Sequence, residues 1–528
     1  MKNCFHISFL AILLGFMVLS VASCSKEDDD TDPSLTEQEA GGQESGSSES
    51  GKGSLFVVTV DSKGKADGNH SFQQITSSIY YIDNIKYTVE NDYLVVSGYN
   101  KAYLSGAAVI ISTLNYLGRT LHVTDIGENA FRGCTALTSV TIPATVTNID
   151  ESAFFDCSGL TSVDIRGDVT GIGRYAFEGC RSLASLTIPA SVTRIGDYAF
   201  SNCRSLTSVV LPSSVTILGE GAFRGCSGLT SISVEKDNPR YDSRDNCNAI
   251  ISESTLLAGC KNTTIPGSVT TIGDWAFNGC TGLTSLHLPS SVTEIGGYAF
   301  NGCTGLTSVT IPSGVTSIGG YAFNGCERLA TVTINSNAIA SQGYYSTNSL
   351  ANIFGTQVAE YILGDEVTGI GSYAFYGCSG MTTMNIPWGV TSIGFGAFNR
   401  CSSLVAITIP GTVTAIGNDA FYGCSSLVDV SIPDGVKSIG GYAFSVCRNL
   451  NSVSIGSSVT SIGEGAFYAS ALEHVYCYAV NPPSTEGNGP FTGFPVSSAT
   501  LHVPSQSLDA YSTTFPWSDF GTKEALGE

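Results

Sequence analysis

The most prominent pattern in the chain is an alternation of apolar and polar residues that recurs at a fixed interval. In one clear copy, Leu306, Val309 and Ile311 have the spacing of residues on one side of a strand. Ser308 and Thr310 alternate with them and are expected to point to the other side. This half of the copy therefore predicts a strand with one buried face.

The second half of the same copy predicts a tight return of the chain. Pro312 ends the strand, because proline has no N–H to give to a sheet. Gly319 and Gly320 suit a backbone that needs positive φ. Ala322 and Phe323 are expected to form a short turn whose ring enters the core.

The dipeptide Ala-Phe marks the period of this pattern. It recurs every 23 residues in three groups, at 130, 153, 176, 199 and 222, at 276, 299 and 322, and at 374, 397, 420, 443 and 466. The gaps of 54 and 52 residues are two periods plus eight and plus six, which predicts insertions near 237–262 and 335–360. A period of this length is typical of a solenoid, in which each coil buries its apolar face against its neighbours.

The repeated pattern LxxVxIPxxVTxIGxxAFxGCxxL resembles the BspA-like leucine-rich-repeat family of bacterial surface proteins, and the match covers residues from about 54 to the end. We therefore expect a β-rich, right-handed, curved leucine-rich-repeat solenoid over 123–477. Thirteen regular strands and two degenerate ones, near Thr263–Ile265 and Glu360–Leu363, would give a parallel sheet of about 15 strands on the concave face. Residues 54–122 are expected to form an N-terminal β cap, and 478–528 a C-terminal cap, because both sheet edges need cover.

The first 53 residues predict export and attachment to a membrane. Lys2 and the short apolar run Ile7 to Leu19 read as a signal peptide over 1–23, and the sequence ending in Cys24 resembles the lipobox of bacterial lipoproteins. That resemblance implies a lipid on Cys24; the alternative is an ordinary secretory peptide whose mature end happens to be cysteine. Nine acidic residues and one large aliphatic residue in 25–53 predict a disordered tether in 24–53. Its first residues resemble an acidic surface-export signal, although a solvating linker in the periplasm would look similar.

Composition narrows the function classes. The net charge of −21 and the lack of a basic run argue against a nucleic-acid partner. The six histidines are scattered, so we expect no metal site, and no constellation of catalytic residues or cofactor motif stands out. We therefore expect no enzyme and no cofactor.

Cysteines are unusually frequent for such a chain. Twelve of the 17 occupy one repeat position, at 134, 157, 180, 203, 226, 280, 303, 326, 378, 401, 424 and 447. Their side chains would lie parallel in neighbouring coils, which favours buried thiols acting as small apolar filler over disulfides. Ser470, at this position in the last regular copy, is expected where burial is poorest. Cys247 and Cys260 differ: a hairpin that sets residue 251 opposite 256 would bring them together as a possible disulfide.

Two surfaces are candidates for binding. The residue before Ala-Phe is aromatic in seven copies, which we call the aromatic stripe: Tyr175, Tyr198, Trp275, Tyr298, Tyr321, Tyr373 and Tyr442. The stripe could contact a ligand, or it could close the gap between coils. The outer sheet face carries mostly Ser and Thr, and the exceptions His287, Asn385 and Tyr476 are too sparse to outline a pocket.

The function expected from this sequence is a surface-exposed outer-membrane lipoprotein that acts as a protein-binding or adhesion module. The family resemblance implies host matrix proteins or other cells as partners. Two alternatives stay open: an accessory lipoprotein that captures or processes glycans, and a structural surface protein without a ligand.

Overall fold

The structure, a computed structural model, describes residues 56–527. The signal peptide, Cys24 and the acidic tether lie outside the described residues. None of the helices within 56–527 has the length and apolar character that crossing a membrane requires.

The described chain begins with eight strands that lead into the repeats: Val57–Val60, Phe72–Thr76, Ile79–Ile82, Ile85–Glu90, Tyr93–Tyr99, Gly106–Val109, Thr113–Tyr116 and Arg119–Ile126. The second to the fifth form an antiparallel meander. Gly106–Val109 then pairs in parallel with Leu137–Ile142, and Arg119–Ile126 pairs in parallel with Asn148–Ile149. These early strands therefore cover the first edge of each parallel ladder that follows.

The repeats form a β-solenoid with two parallel ladders. The first ladder comes from the apolar strand of each copy: Leu137–Ile142, Ser162–Ile165, Ser208–Leu211, Ser231–Val234, Ser308–Ile311, Thr331–Ile334, Glu360–Leu363, Thr383–Asn385, Ala406–Thr408, Asp429–Ile432, Ser452–Ile455, His474–Cys477, Thr500–Val503 and Thr522–Ala525. The second ladder has strands of two residues: Asn148–Ile149, Gly171–Ile172, Arg194–Ile195, Ile217–Leu218, Thr271–Ile272, Glu294–Ile295, Ser317–Ile318, Ser392–Ile393, Ala415–Ile416, Ser438–Ile439, Ser461–Ile462 and Ser484–Thr485. Along both ladders, residues 23 apart pair in register wherever two regular copies adjoin.

The expected single sheet of about 15 strands needs two corrections. The sequence does not predict the second ladder, and the first ladder is divided among four sheets rather than forming one. Between the sheets, the copies around Leu186 and Leu286 carry no assigned strand. Both have leucine at the central position where most copies have valine or isoleucine, residues that fit a strand better. Of the two degenerate strands, Glu360–Leu363 is confirmed, whereas residues 263–265 form no strand.

The core contains stacked phenylalanine rings, one from each Ala-Phe turn. Consecutive rings stack nearly parallel, with centroids 5.0 Å apart between Phe131 and Phe154 and 4.9 Å apart between Phe421 and Phe444. Stacked aromatic pairs of this kind contribute about 0.5–1.5 kcal/mol beyond the burial of their area. The predicted turn at Ala322 and Phe323, with its ring in the core, is confirmed.

Beside the phenylalanines runs a column of buried cysteines, and every cysteine in residues 56–527 is a free thiol. The expectation of buried thiols is confirmed, but the thiols also form hydrogen bonds between coils. The Cys157 thiol donates a hydrogen bond of 3.0 Å to the carbonyl oxygen of Phe131 in the preceding coil. The same bond, spanning 26 residues, recurs at Cys180, Cys203, Cys226, Cys303, Cys326, Cys401, Cys424 and Cys447. Each such thiol therefore ties its coil to the one before.

As expected, Ser470 is the least buried residue at this repeat position, 7% exposed against 0–6% for the cysteines. This residue is buried, and its hydroxyl donates to the carbonyl oxygen of Phe467 in its own turn at 2.7 Å. Its coil is not the last one, because Phe491 continues the ring column beyond Phe467, at a centroid distance of 5.7 Å.

The first insertion forms a hairpin of Ala249–Ser252 and Thr255–Gly259, preceded by the 3-10 helix Arg244–Asn246. Residue 251 pairs with 256 as predicted, but a β-bulge after Ile250 shifts the register, so that Ala249 faces Gly259. Continuing this register sets Cys260 opposite residue 248, not opposite Cys247. Both thiols are free, and each lies nearest a different carbonyl oxygen, that of Ala249 or that of Asn248. The pairing expected from the sequence is therefore not formed.

The second insertion and the C-terminus add the remaining helices. The α-helices are Asn337–Ser341, Leu350–Phe354 and Leu508–Thr513, and the 3-10 helices here are Val496–Ser498, Ser505–Ser507 and Trp517–Asp519. Phe354 takes the place of a repeat phenylalanine and stacks on Phe323. At the C-terminus, Tyr511 and Trp517 are buried beneath the final strands. The first ladder thus continues past residue 477 to Thr522–Ala525.

Candidate binding surface

The aromatic stripe occupies a backbone position with a special conformation. The residue before Ala-Phe has positive φ in all thirteen copies, whether it is aromatic, as in Tyr198 (55°) and Trp275 (61°), or glycine, as in Gly221 (58°). Gly319 and Gly320 do not have positive φ, so the expectation for them is wrong; the left-handed residue is the next one, Tyr321. A bulky residue in this region is strained, and strain of this kind is often concentrated at functional sites.

Each stripe ring leans over the next coil. Three copies that follow a tyrosine have glycine at the stripe position, and a Cβ added to Gly221 would lie 2.7 Å from the ring of Tyr198. The same relationship holds between Tyr373 and Gly396, and between Tyr442 and Gly465. The rings therefore do close gaps between coils, as one of the two alternatives held.

The seven stripe residues do not form one continuous row. Tyr175 and Tyr198 stack with centroids 5.4 Å apart. Trp275, Tyr298 and Tyr321 form a second stack, with centroids 4.1 Å and 5.3 Å apart. In both stacks the rings cover one another's faces. Tyr373 instead meets Phe395 and Tyr376 edge to face, and Tyr442 has no aromatic neighbour among the described residues.

Two charged residues join the stacks across the first insertion. The carboxylate of Glu220 accepts a hydrogen bond of 3.1 Å from the indole N–H of Trp275 and one of 3.5 Å from the hydroxyl of Tyr198. The guanidinium of Arg224 lies 3.9 Å from the centroid of the Trp275 ring and 6.0 Å from that of Tyr198. Burial, and next the Glu220 carboxylate, raise the pKa of Tyr198. We call Tyr198, Glu220, Arg224, Trp275 and Tyr298 the insertion cluster.

Glu220 and Arg224 are not predicted as site residues from the sequence. They lie 55 and 51 residues before Trp275 in the chain, yet the insertion loops out on this side and lets the two regular coils touch. Gly225, for example, donates its backbone N–H to the carbonyl oxygen of Asn278 at 2.9 Å. An insertion of known length between two stripe positions was the only signal in the sequence for this contact.

A surface cavity of about 390 Å³ opens at the insertion cluster. The hairpin coil has no Ala-Phe turn, so Phe223 has no phenylalanine stacked on the side facing Phe277. The apolar floor is formed by Phe223, Leu257, Ala258 and Ala276, and the rim by residues that include Glu220, Arg224, Asp274 and Trp275. A concave apolar site with a few polar groups at its rim is the usual form of a binding site.

The outer face of the first ladder holds a second group that sequence reasoning treats as too sparse. Tyr476 stacks on the imidazole of His502 with centroids 4.4 Å apart. His502 in turn lies 3.2 Å from a ring nitrogen of His474 and 3.5 Å from the carboxylate of Glu524. Burial lowers the pKa of His502. Asn385 lines a smaller cavity, of about 260 Å³, on the same face.

Within residues 56–527, no group of three or more His, Cys, Asp or Glu side chains is arranged to hold a metal ion. The pair of His474 and His502 falls short of such a group. The charged residues of the insertion cluster, Glu220 and Arg224, instead contact the aromatic side chains of Tyr198 and Trp275. This arrangement is suited to binding a partner.

Comparison with known proteins identifies the repeat. The family described as BspA type leucine rich repeat region, in six copies, matches residues 122–247, 256–363 and 368–480. No protein with a curated description matches the chain.

Several solved structures are similar. A leucine-rich repeat protein from Bacteroides ovatus is 25% identical over 85% of this chain and 99% of its own, with a TM-score of 0.49. A leucine rich cell surface protein from Faecalibacterium prausnitzii is 26% identical over 79% of this chain and 99% of its own, with a TM-score of 0.35. A leucine-rich repeat protein from Eubacterium ventriosum is 24% identical over 68% of this chain and 96% of its own, with a TM-score of 0.48.

Proposed function

The chain belongs to the family of BspA-type leucine-rich repeat proteins, and we propose that it is a surface-anchored lipoprotein that binds proteins of the host matrix or of other cells. A lipid on Cys24 anchors it in the outer membrane. In this proposal the acidic segment 25–53 serves as the tether between the lipid and the repeats. The proposal includes no catalytic step and no cofactor.

The observation that carries protein binding is the cavity at the insertion cluster. Its apolar floor can take an apolar side chain of a partner, and tryptophan, tyrosine and arginine are the residues most enriched at the energetic centres of protein interfaces. Glu220 and Arg224 hold the rim rings in place, so little ordering entropy is lost on binding.

Glycan capture or processing is the alternative from another class. The stripe supports it less, because stacking covers ring faces on which a sugar ring would otherwise pack. At the cavity itself, Glu220 is bound to the Trp275 indole, and Asp274 accepts the backbone N–H of Gly297 at 2.6 Å. Neither carboxylate is placed as a free acid or base.

Binding of the purified chain from residue 25 onward to immobilised collagen, laminin and fibronectin, and to cultured epithelial cells, tests the proposal. Trp275→Gly and Tyr298→Gly are suitable variants, because glycine occupies the same left-handed position in the copies of Gly221, Gly396 and Gly465. Tyr442→Gly is the matched control, since Tyr442 is a stripe residue away from the cluster.

The proposal predicts that at least one of these probes binds, and that affinity falls about thirtyfold or more in the two cluster variants but not in Tyr442→Gly. Binding that survives both cluster variants would contradict the assignment of the site. A chain that binds none of the probes would favour the third alternative, a structural surface protein without a ligand.

A further inference from the structure

Trp388 exposes a large apolar side chain to solvent. The indole of Trp388 is 75% exposed, although the coils on either side have only Asp365 and Gly411 at the same place after the strand. A Cβ added to Gly411 would lie 3.7 Å from the indole, so the ring leans over the next coil. No aromatic ring among the described residues stacks on it, in contrast to the rings of the insertion cluster. An exposed large apolar ring at such a site suggests a contact surface.

The residues that directly precede Trp388 in the chain line a cavity. It has a volume of about 260 Å³ and opens between the strands Glu360–Leu363 and Thr383–Asn385. These strands pair only as far as Ile362 and Asn385, so the backbones separate at the end where Asp365 and Pro387 form the lip. A Cβ added to Gly389 would lie 3.1 Å from the carbonyl oxygen of Asp365. The coil that carries Trp388 therefore packs closely against the lip of the cavity.

The lining of this cavity is both apolar and polar. Ile362 is 44% exposed in a row of the sheet face where the residues paired with it are Thr333 and Asn385. Glu360, Asp365, Thr383 and Asn385 supply carboxylate, hydroxyl and amide groups, and no lysine or arginine lines the cavity. Neither carboxylate forms an ion pair with any residue in 56–527.

This combination matches the chemistry of a sugar. A pyranose ring has an apolar face of C–H bonds that packs on an aromatic face, and hydroxyl groups around its edge that donate to carboxylates and exchange hydrogen bonds with an amide. The lack of a cationic side chain disfavours phosphate and sulfate groups. The volume of the cavity lies below the range of pockets for drug-sized molecules, so the cavity suits a single sugar unit.

We propose that the cavity and Trp388 form a binding site for a neutral oligosaccharide. One sugar unit enters the cavity, where Asp365 and Asn385 bind its hydroxyl groups. The next unit packs on the indole, whose coil lies one spacing of about 4.8 Å beyond the Asp365 coil and whose ring leans towards Gly411. The strand separation and the exposed ring are thus parts of one site, independent of the insertion cluster.

Glycan-array binding followed by ligand-observed NMR tests this proposal. The array should carry neutral glycans, including tetrasaccharides of mannose, glucose and xylose, together with sialylated and sulfated ones. Trp388→Ala should abolish the array signal, and Asn385→Ala should weaken binding of the best tetrasaccharide tenfold or more. Both side chains are exposed, so the thermal midpoint should not change.

Fluorescence locates the sugar within the chain. The three tryptophans are Trp275, Trp388 and the buried Trp517, so Trp275→Phe leaves Trp388 as the exposed emitter. The proposal predicts that the tetrasaccharide protects this emission from quenching by acrylamide. Trp275→Phe should leave sugar affinity unchanged.

Three results would overturn the proposal. The first is no array signal above that of Trp388→Ala. The second is a preference for sialylated or sulfated glycans, and the third is loss of sugar binding in Trp275→Phe with retention in Trp388→Ala. Because the two sites use different tryptophans, failure here leaves the protein-binding site untouched, and failure there leaves this one.

Discussion

The ring of Tyr198 occupies the space into which a side chain at Gly221 would project, with a ring carbon 2.7 Å from the position of that missing Cβ. A stripe ring in one coil is thereby coupled to the residue at the same position in the next.

Replacing Gly221 should be costly. In Gly221→Ala the new methyl group meets the Tyr198 ring, and alanine must also adopt positive φ, so we expect a loss of about 1–3 kcal/mol in unfolding free energy. Gly320→Ala is the matched control, since its Cβ meets nothing within 4 Å and its φ is not positive. Urea unfolding followed by circular dichroism measures both. Equal stability of the two variants would contradict the described packing.

The phenylalanine column should dominate local stability. Phe300 is fully buried between Phe277 and Phe323, so Phe300→Ala should destabilise its coil and the adjoining coils by about 3–5 kcal/mol. Tyr321→Ala, at a residue that is 40% exposed, should cost far less. Hydrogen exchange should show the loss of protection concentrated in 277–326. Uniform loss along the whole solenoid would instead indicate that the coils unfold as one unit.

Stability should fall in alkali because of the buried thiols. Burial raises the pKa of Cys157 and Cys280 to about 12 from the ordinary value of 9.0. A raised folded-state pKa stabilises the fold fully below pH 9, and this contribution is lost as the pH rises towards 12, because the unfolded thiols ionise first. By pH 10 each such thiol costs about 1.4 kcal/mol. Urea midpoints between pH 7.5 and 10 measure the slope, which should be shallower in Cys157→Ala; an unchanged slope would contradict the assignment.

Cys247 and Cys260 should behave as the other buried cysteines do. Both are free thiols at offset positions of the hairpin. Alkylation with iodoacetamide after unfolding without reductant should therefore modify both, and mass spectrometry of the peptides reads this out. Detection of two peptides linked through Cys247 and Cys260 would contradict this prediction. It would support the disulfide expected from a hairpin without the bulge.

The sequence alone predicts the repeating features of this fold but few of the irregular ones. The 23-residue spacing of Phe300, Phe323 and their equivalents is sufficient to predict the coil, because each copy repeats the same buried letters. The second ladder escapes prediction, since two residues such as Ser317–Ile318 carry too little alternation to mark a strand.

The candidate site is harder to predict, for a physical reason. Left-handed backbone is normally predicted from glycine, yet here it falls on tyrosine or tryptophan in seven of the thirteen copies, and only Gly221, Gly396 and Gly465 indicate the position. The contact between Glu220 and Trp275 depends on how the insertion leaves the coil, and the bulge in the hairpin shifts Cys260 by one residue. Such features are set by tertiary packing rather than by local pattern.

Protease treatment of intact producing cells most directly tests display on the cell surface, with the repeat region 123–477 detected by antibody and a periplasmic protein as control. If the solenoid faces outward, the repeat region is lost while the periplasmic control survives. Retention of the chain by membranes is expected to disappear in Cys24→Ala. Survival of the repeat region on cells with intact outer membranes would contradict a surface binding module, because no external ligand could then reach the insertion cluster.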